Sequence, residues 1–232
     1  MLNKKQIQEE KRRENKERQR RNRRKETPLE RSKKTTIAKK EKILIVCEGE
    51  NTEPSYFDQF KLSTADIKAI GKGFNTVSLV RDAIKLKSKD YKQVWCVFDK
   101  DDFKDADFNK AIALAEKEGL KIAYSNQAFE YWLILHFEDH QGGAMNRKDY
   151  DKKINSYIKP LGSKYDGNNS KVVEPLFFDL MLAKDPKTGE RRIDLAIKRA
   201  KNIYENKDHS SPAKEESSTK VYKLVEELLK FL

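Results

Sequence analysis

Lys42-Ile43-Leu44-Ile45-Val46-Cys47-Glu48-Gly49-Glu50-Asn51-Thr52-Glu53 decides how the rest of the chain is read. Residues 43–47 are apolar and mostly β-branched, the length and composition of a buried strand. The run stops at a carboxylate followed by glycine. A strand here carries Glu48 to its C-terminal end, where open α/β sheets place their chemistry. A second apolar run, Val94-Trp95-Cys96-Val97-Phe98, ends in the same way, in Asp99-Lys100-Asp101-Asp102.

Outward from the first strand, Glu53-Pro54-Ser55-Tyr56-Phe57-Asp58-Gln59-Phe60 reads as a helix. Thr52 is placed as its N-cap and Pro54 near its first position. Tyr56, Phe57 and Phe60 share a face. Residues 66–70 read as a short strand closed by Gly71-Lys72-Gly73, either a plain turn or a close approach to phosphate. Residues 76–87 form a helix with Val77, Val80, Ala83, Ile84 and Leu86 along one stripe. Residues 107–118 form another, through Ala111, Ile112, Leu114 and Ala115, ended by Gly119. Residues 120–124 are a strand. The segment 128–137 is apolar nearly all round, which marks a helix buried on most sides.

The order βαβαβαβα implies an α/β fold with a mostly parallel sheet flanked by helices. From Asp139 onward strand signals stop. Residues 147–158, 172–182, 190–205 and 217–231 each read as helical, with Ser218-Thr219 capping the last. Three parts follow: a basic arm over 1–41, an α/β core over 42–140, and a helical extension over 141–232 packed on that core.

Charge separates these parts. The chain carries a net +12. Residues 1–40 hold 17 Lys or Arg against 6 Glu, so the folded remainder is close to neutral. The arm has too little apolar surface to offset ordering entropy and is either disordered or a solvated helix. Arg20, Arg21, Arg23, Arg24 and Lys25 are its candidate nucleic-acid contacts. A solubilising tail or a contact for an acidic partner is the other reading. Only two cysteines are present, Cys47 and Cys96, both within apolar strands. That argues against a disulfide framework and for a reducing, cytoplasmic setting. No apolar run approaches the roughly 18 residues of a membrane span, and no signal peptide is expected.

In a parallel sheet Glu48 and the Asp99-Lys100-Asp101-Asp102 segment fall on one rim. A glutamate with Asp99, Asp101 and Asp102 is a hard-oxygen donor set suited to Mg²⁺ or Mn²⁺. Alternation along an extended chain turns Asp99 and Asp101 the same way and Asp102 away, unless a turn begins there. The competing reading is that acids at strand ends are turn and capping residues. Glu130, near the start of the apolar helix, calls for a partner: a metal or substrate, or a structural donor. Glu53 and Lys100 are supporting candidates, Lys100 by offsetting phosphate charge if its side chain faces the site. His136 and His140 stand four apart but read as core or surface histidines. Trp132 reads as core.

With these motifs in hand, the chain resembles the RloB family over about residue 41 to the C-terminus. Residues 43–57 resemble its opening signature. Val97-Phe98-Asp99-Lys100-Asp101-Asp102-Phe103 resembles its central acidic motif, and residues 125–137 its third block. The family usually has Pro-Cys where this chain has Gln127-Ala128, so a thiol is lost there while the carboxylates are kept. RloB-like proteins look like members of the TOPRIM group, whose pattern is a glutamate after the first strand and Asp-x-Asp after a later one. Carried over, these are Glu48, Asp99 and Asp101. The resemblance implies Mg²⁺-dependent phosphodiester chemistry, a nuclease effector in phage defence or abortive infection, and an RloA-like ATPase partner. A non-catalytic nucleic-acid- or partner-binding subunit is the alternative, with nucleotidyl transfer behind it. The sequence leaves homo-oligomerisation open.

Overall fold

A computed structural model of the chain describes residues 42–69 and 76–232, together with Arg13 and Glu17. The candidate contacts Arg20, Arg21, Arg23, Arg24 and Lys25, and Gly71-Lys72-Gly73, lie outside the described residues. Glu41–Leu232 form one compact unit.

Among the described residues from Lys42 on, four strands alternate with four α-helices, as the apolar pattern predicts. They are β1 (Lys42–Cys47), α1 (Thr52–Asp58), β2 (Ala65–Ala69), α2 (Thr76–Leu86), β3 (Tyr91–Asp99), α3 (Asp105–Lys117), β4 (Lys121–Asn126) and α4 (Glu130–Leu135). Four more helices follow: α5 (Tyr150–Ile158), α6 (Pro175–Leu182), α7 (Arg192–Glu205) and α8 (Val221–Leu229). A two-residue strand, β5 (Ser218–Thr219), precedes α8. The sheet order is β2-β1-β3-β4-β5, parallel except for β5, which pairs antiparallel with β4.

Both faces of the sheet are covered, which is why β1 and β3 read as unbroken apolar runs. Successive side chains go to opposite faces. Leu44, Val46, Val94, Cys96 and Phe98 pack with Val80, Ala83, Phe108 and Ala111 of α2 and α3. Ile43, Ile45, Cys47, Trp95 and Val97 pack on the other face with Tyr56, Phe57 and residues Tyr131 to Leu135 of α4. Ile154, Phe177, Met181, Ile193, Val221 and Leu224, from α5 to α8, belong to that same core. The C-terminal helices thus complete one face of the sheet. Cys47 and Cys96 are buried and unpaired.

Several boundaries differ from the sequence reading, each for a local reason. Thr52 is the first residue of α1, not its cap; Asn51 precedes it without a side-chain capping bond. Leu86, expected on the buried stripe of α2, is 40% exposed at the last position of that helix. α6 starts at Pro175 rather than 172, because a residue before proline is driven to extended backbone; Glu174 has ψ 152°. Strand structure does not stop at Asp139. Ser218 and Thr219 form β5 instead of capping α8: the N-cap is Lys220, without a side-chain capping bond, although Thr219 Oγ1 accepts the Val221 N–H at 3.2 Å. Two residues are too few for any periodic signal. Gly119 ends α3 as expected, at φ +68°, a conformation that glycine adopts at little cost.

Candidate active site

The parallel register brings the C-terminal ends of β1, β3 and β4 to one rim. Cys47 pairs with Val97, and Asp99 with Ser125. The ladder runs on past the strands: the Glu48 N–H donates to Val97 O at 2.9 Å, and Lys100 N–H to Ser125 O at 2.9 Å. Asp101 N–H then donates to Gln127 O at 3.0 Å. These bonds fix the backbone beneath a cavity of about 400 Å³. Glu48, Glu53, Asp99, Asp101 and Glu130 all line it.

Each carboxylate is held differently. Glu48 Oε2 accepts the Asp99 N–H at 3.3 Å, linking the two strand ends directly. Asp99 Oδ2 accepts the Phe129 N–H at 3.1 Å, near the start of α4. Its Oδ1 is sealed from solvent and has no hydrogen-bond partner. Asp101 reaches the cavity through a turn rather than strand alternation: β3 ends at Asp99, and Asp101 has φ +42°. Left-handed backbone at a non-glycine residue is uncommon and is tolerated in aspartate better than in most. Glu53 is 5% exposed and folds back over the turn, its Oε1 accepting the Gly49 N–H at 3.3 Å. A Cβ at Gly49 would lie 2.2 Å from Glu53 Oε2, so the glycine makes room for the second glutamate. Glu130 opens α4, and its Oε1 accepts the Tyr165 hydroxyl at 2.8 Å. Tyr165 also lies 3.2 Å from Thr52 Oγ1.

Crowding so many acids away from water disfavours their ionised forms. Burial, with Asp101 and Glu53 nearby, pushes Glu48 up to about 7 even though the Asp99 N–H favours its charge. Burial pushes Glu53 up to about 7 as well, with Glu130 adding to the repulsion. Asp99 is driven well above the usual carboxylate range by burial first and then by Glu53, Asp101 and Glu130. The counter-charge in contact with the cluster is Arg147, whose Nη1 pairs with Asp101 Oδ1. Lys171 also lines the cavity.

Two sequence candidates fall outside this cavity. Asp102, a proposed metal ligand, is exposed and does not line it, because the turn at Asp101 sends it outward. Lys100 turns away: its Nζ donates to Phe103 O at 2.5 Å and pairs with Asp105 at 3.2 Å. His136 and His140 do not act together. His136 is buried, with Nδ1 3.0 Å from Trp132 O, and burial lowers it to about 3. His140 sits 3.3 Å from the Tyr131 hydroxyl. Trp132 is fully buried core. Sequence reasoning missed Arg147, Lys171 and Tyr165. All three come from the C-terminal helical region, and no motif around them marks a site.

The donor set is all hard oxygen, with one buried carboxylate oxygen unsatisfied, which suits a hard divalent cation. Among the described residues, however, no three His, Cys, Asp or Glu side chains already stand as a ready ligand set. Arg147 on Asp101 and Tyr165 on Glu130 account for two of the acids.

Fold and site together define an α/β protein with a mostly parallel sheet and an acidic cleft at its C-terminal rim. The chain belongs to the RloB-like protein family, whose model matches residues 43–228. Neither a curated protein nor a solved structure matches it. No helix among the described residues is long and apolar enough to cross a membrane.

Proposed function

We propose that this chain is a Mg²⁺- or Mn²⁺-dependent nuclease of the TOPRIM type, acting on nucleic-acid phosphodiesters. The observation that carries the reading is the orphaned, buried Oδ1 of Asp99, a residue that lines the cavity together with five further carboxylates. A buried polar atom without a partner costs free energy that a bound cation would recover. Asp99 and Asp101 would hold the ion, with Glu48 as a further ligand or as the acid/base group. When bound, such an ion supplies Lewis acidity toward a phosphate oxygen and eases deprotonation of a water.

The chain's own residues do the rest. Glu48 sits at the Asp99 N–H with a proton affinity near neutrality, which suits a group that accepts and returns a proton. Glu53 and Glu130 hold the inner wall of the cavity and add negative charge around the ion. Lys100 is not assigned to substrate, since it is committed to Phe103 and Asp105. Arg20, Arg21, Arg23, Arg24 and Lys25 would add sequence-independent, salt-sensitive affinity for nucleic acid. On this reading, and by its resemblance to RloB-like proteins, the chain would act in the cytoplasm in phage defence, beside an RloA-like ATPase.

The test is cleavage of DNA and RNA substrates with Mg²⁺ or Mn²⁺, comparing wild type with Asp99→Ala and Glu48→Gln. Loss of activity in both variants is expected; equal activity in all three rules the assignment out. A second reading has one observation in its favour, the ion pair that already occupies Asp101. On it, the chain is a non-catalytic subunit that docks an ATPase or nucleic acid. Absence of divalent-cation binding by calorimetry, with co-purification of the partner, selects that reading.

A further inference from the structure

Arg147 is the first residue of a short 3-10 turn leading into α5, and it stands in the acidic cavity with its guanidinium on Asp101. Gln127 holds both partners. Its carbonyl accepts the Asp101 N–H at 3.0 Å, and its side-chain Oε1 accepts the Arg147 N–H at 3.2 Å. The arginine side chain keeps 39% exposure, so it is free to swing without unpacking a core. An arginine guanidinium presents a planar fork of donors that fits phosphate as well as carboxylate. Asp101 is thus already paired with one cation, which a divalent ion would have to displace.

We propose, on the strength of the metal-dependent reading above, that Arg147 is the phosphate-binding cation of this site. It is held in reserve on Asp101 until a divalent ion takes that carboxylate. Released, the guanidinium stays in the cavity that Lys171 also lines, and these two side chains are the cationic part of its lining. Metal and nucleic acid then bind cooperatively: the ion frees Arg147, and Arg147 grips the phosphate. By linkage, each ligand must strengthen the other by the same factor.

Two measurements on the full chain test this. Calorimetry with Mn²⁺ alone compares wild type, Arg147→Ala and Arg147→Lys. Anisotropy then follows binding of a fluorescent phosphorothioate oligonucleotide with and without Mn²⁺. Arg147→Ala is expected to bind Mn²⁺ about threefold to tenfold more tightly, because nothing competes for Asp101. Its oligonucleotide affinity should fall about tenfold with Mn²⁺ present and less than twofold without it. Arg147→Lys, which keeps the charge, should stay within about twofold of wild type for Mn²⁺. Unchanged or weaker Mn²⁺ binding by Arg147→Ala overturns the proposal, and so does an oligonucleotide loss that ignores Mn²⁺. A wild type that takes up no Mn²⁺ sinks the metal-dependent reading itself, a result distinct from either.

Discussion

The carboxylate of Glu53 folds back on Gly49 and accepts its backbone N–H at 3.3 Å, in space that any side chain at Gly49 would fill. The turn after β1 therefore presents two glutamates, Glu48 from the strand end and Glu53 from the first turn of α1. Gly49→Ala places a Cβ 2.2 Å from Glu53 Oε2. The obstructing atom is the end of a rotatable side chain, so Glu53 should give way rather than the backbone. The expected result is a stability change of about 1 kcal/mol or less by urea denaturation, together with weaker Mn²⁺ binding by calorimetry. Glu53→Gln should weaken Mn²⁺ binding similarly, and combining the two should add little, since both remove the same carboxylate.

Ionising Asp99 is costly, chiefly because it is buried. Its Oδ1 has no partner, and Glu53, Asp101 and Glu130 all oppose its ionisation. Asp99→Asn keeps the shape and the bond from the Phe129 N–H, and it puts an amide donor among the carboxylates. Without metal, the variant should be the more stable protein, with Tm at pH 8 raised by about 2–4 °C, what ~1 kcal/mol is worth in a domain of this size. Excess Mn²⁺ should reverse the order, because a ligand that binds only the folded state stabilises it more the more tightly it binds. A variant less stable than wild type without metal would show that repulsion at Asp99 is not what strains the site. Stability given up at one carboxylate is the signature of a functional site.

The pH dependence of the metal-free protein follows from the same crowding. Glu48 and Glu53 are raised from 4.5 to about 7 in the folded state. Between those values the folded chain keeps protons that the unfolded chain has released, so stability falls as pH rises. The contribution of these groups is complete below the ordinary glutamate range and is lost as pH passes through about 7. Tm without metal should therefore drop between pH 5.5 and 8, and Glu53→Gln should flatten the drop. Mn²⁺ affinity should run the other way, increasing over the same interval as the ion displaces protons. Calorimetry in buffers of different ionisation enthalpy reads that proton release directly.

The fold was largely written in the apolar runs. β1 and β3 are buried on both faces, so their length and β-branching were enough to place them. The parallel order then carried Glu48 and Asp99 to one rim without further information. Asp101 lines the cavity for a reason that the sequence does not display: its backbone follows a left-handed turn, not the strand pleat. The same turn carries Asp102 out. The residues that complete the site from afar, Arg147, Tyr165 and Lys171, were invisible because their roles depend on how α5 and the loops after it cover one face of the sheet. Neither a lone arginine following an asparagine nor a tyrosine in a polar loop carries a local pattern. β5 escaped for the related reason that its pairing with β4 is a long-range event spread over two residues.

Tyr165 tests whether the helical region serves the site or only packs beside it. It is 1% exposed, and its hydroxyl donates to Glu130 Oε1 at 2.8 Å while lying 3.2 Å from Thr52 Oγ1. Its own loop is held by Asn155, whose Nδ2 donates to Tyr165 O at 2.7 Å and whose Oδ1 accepts the Tyr165 N–H at 3.1 Å. The chain from α5 to Tyr165 to Glu130 thus fixes one acid of the cleft through a tyrosine 35 residues further along. Tyr165→Phe keeps the ring packed on Phe177 and removes only the hydroxyl. A hydrogen bond to a charged partner contributes about 1.5–3 kcal/mol, so the variant should lose about that much in urea denaturation. Glu130→Gln retains an acceptor and should lose less. In a double-mutant cycle the two changes should couple by at least about 0.5 kcal/mol, the lower end for residues in one network. Additive losses would mean that Tyr165 stabilises its own loop alone and that Glu130 is positioned by α4 without it.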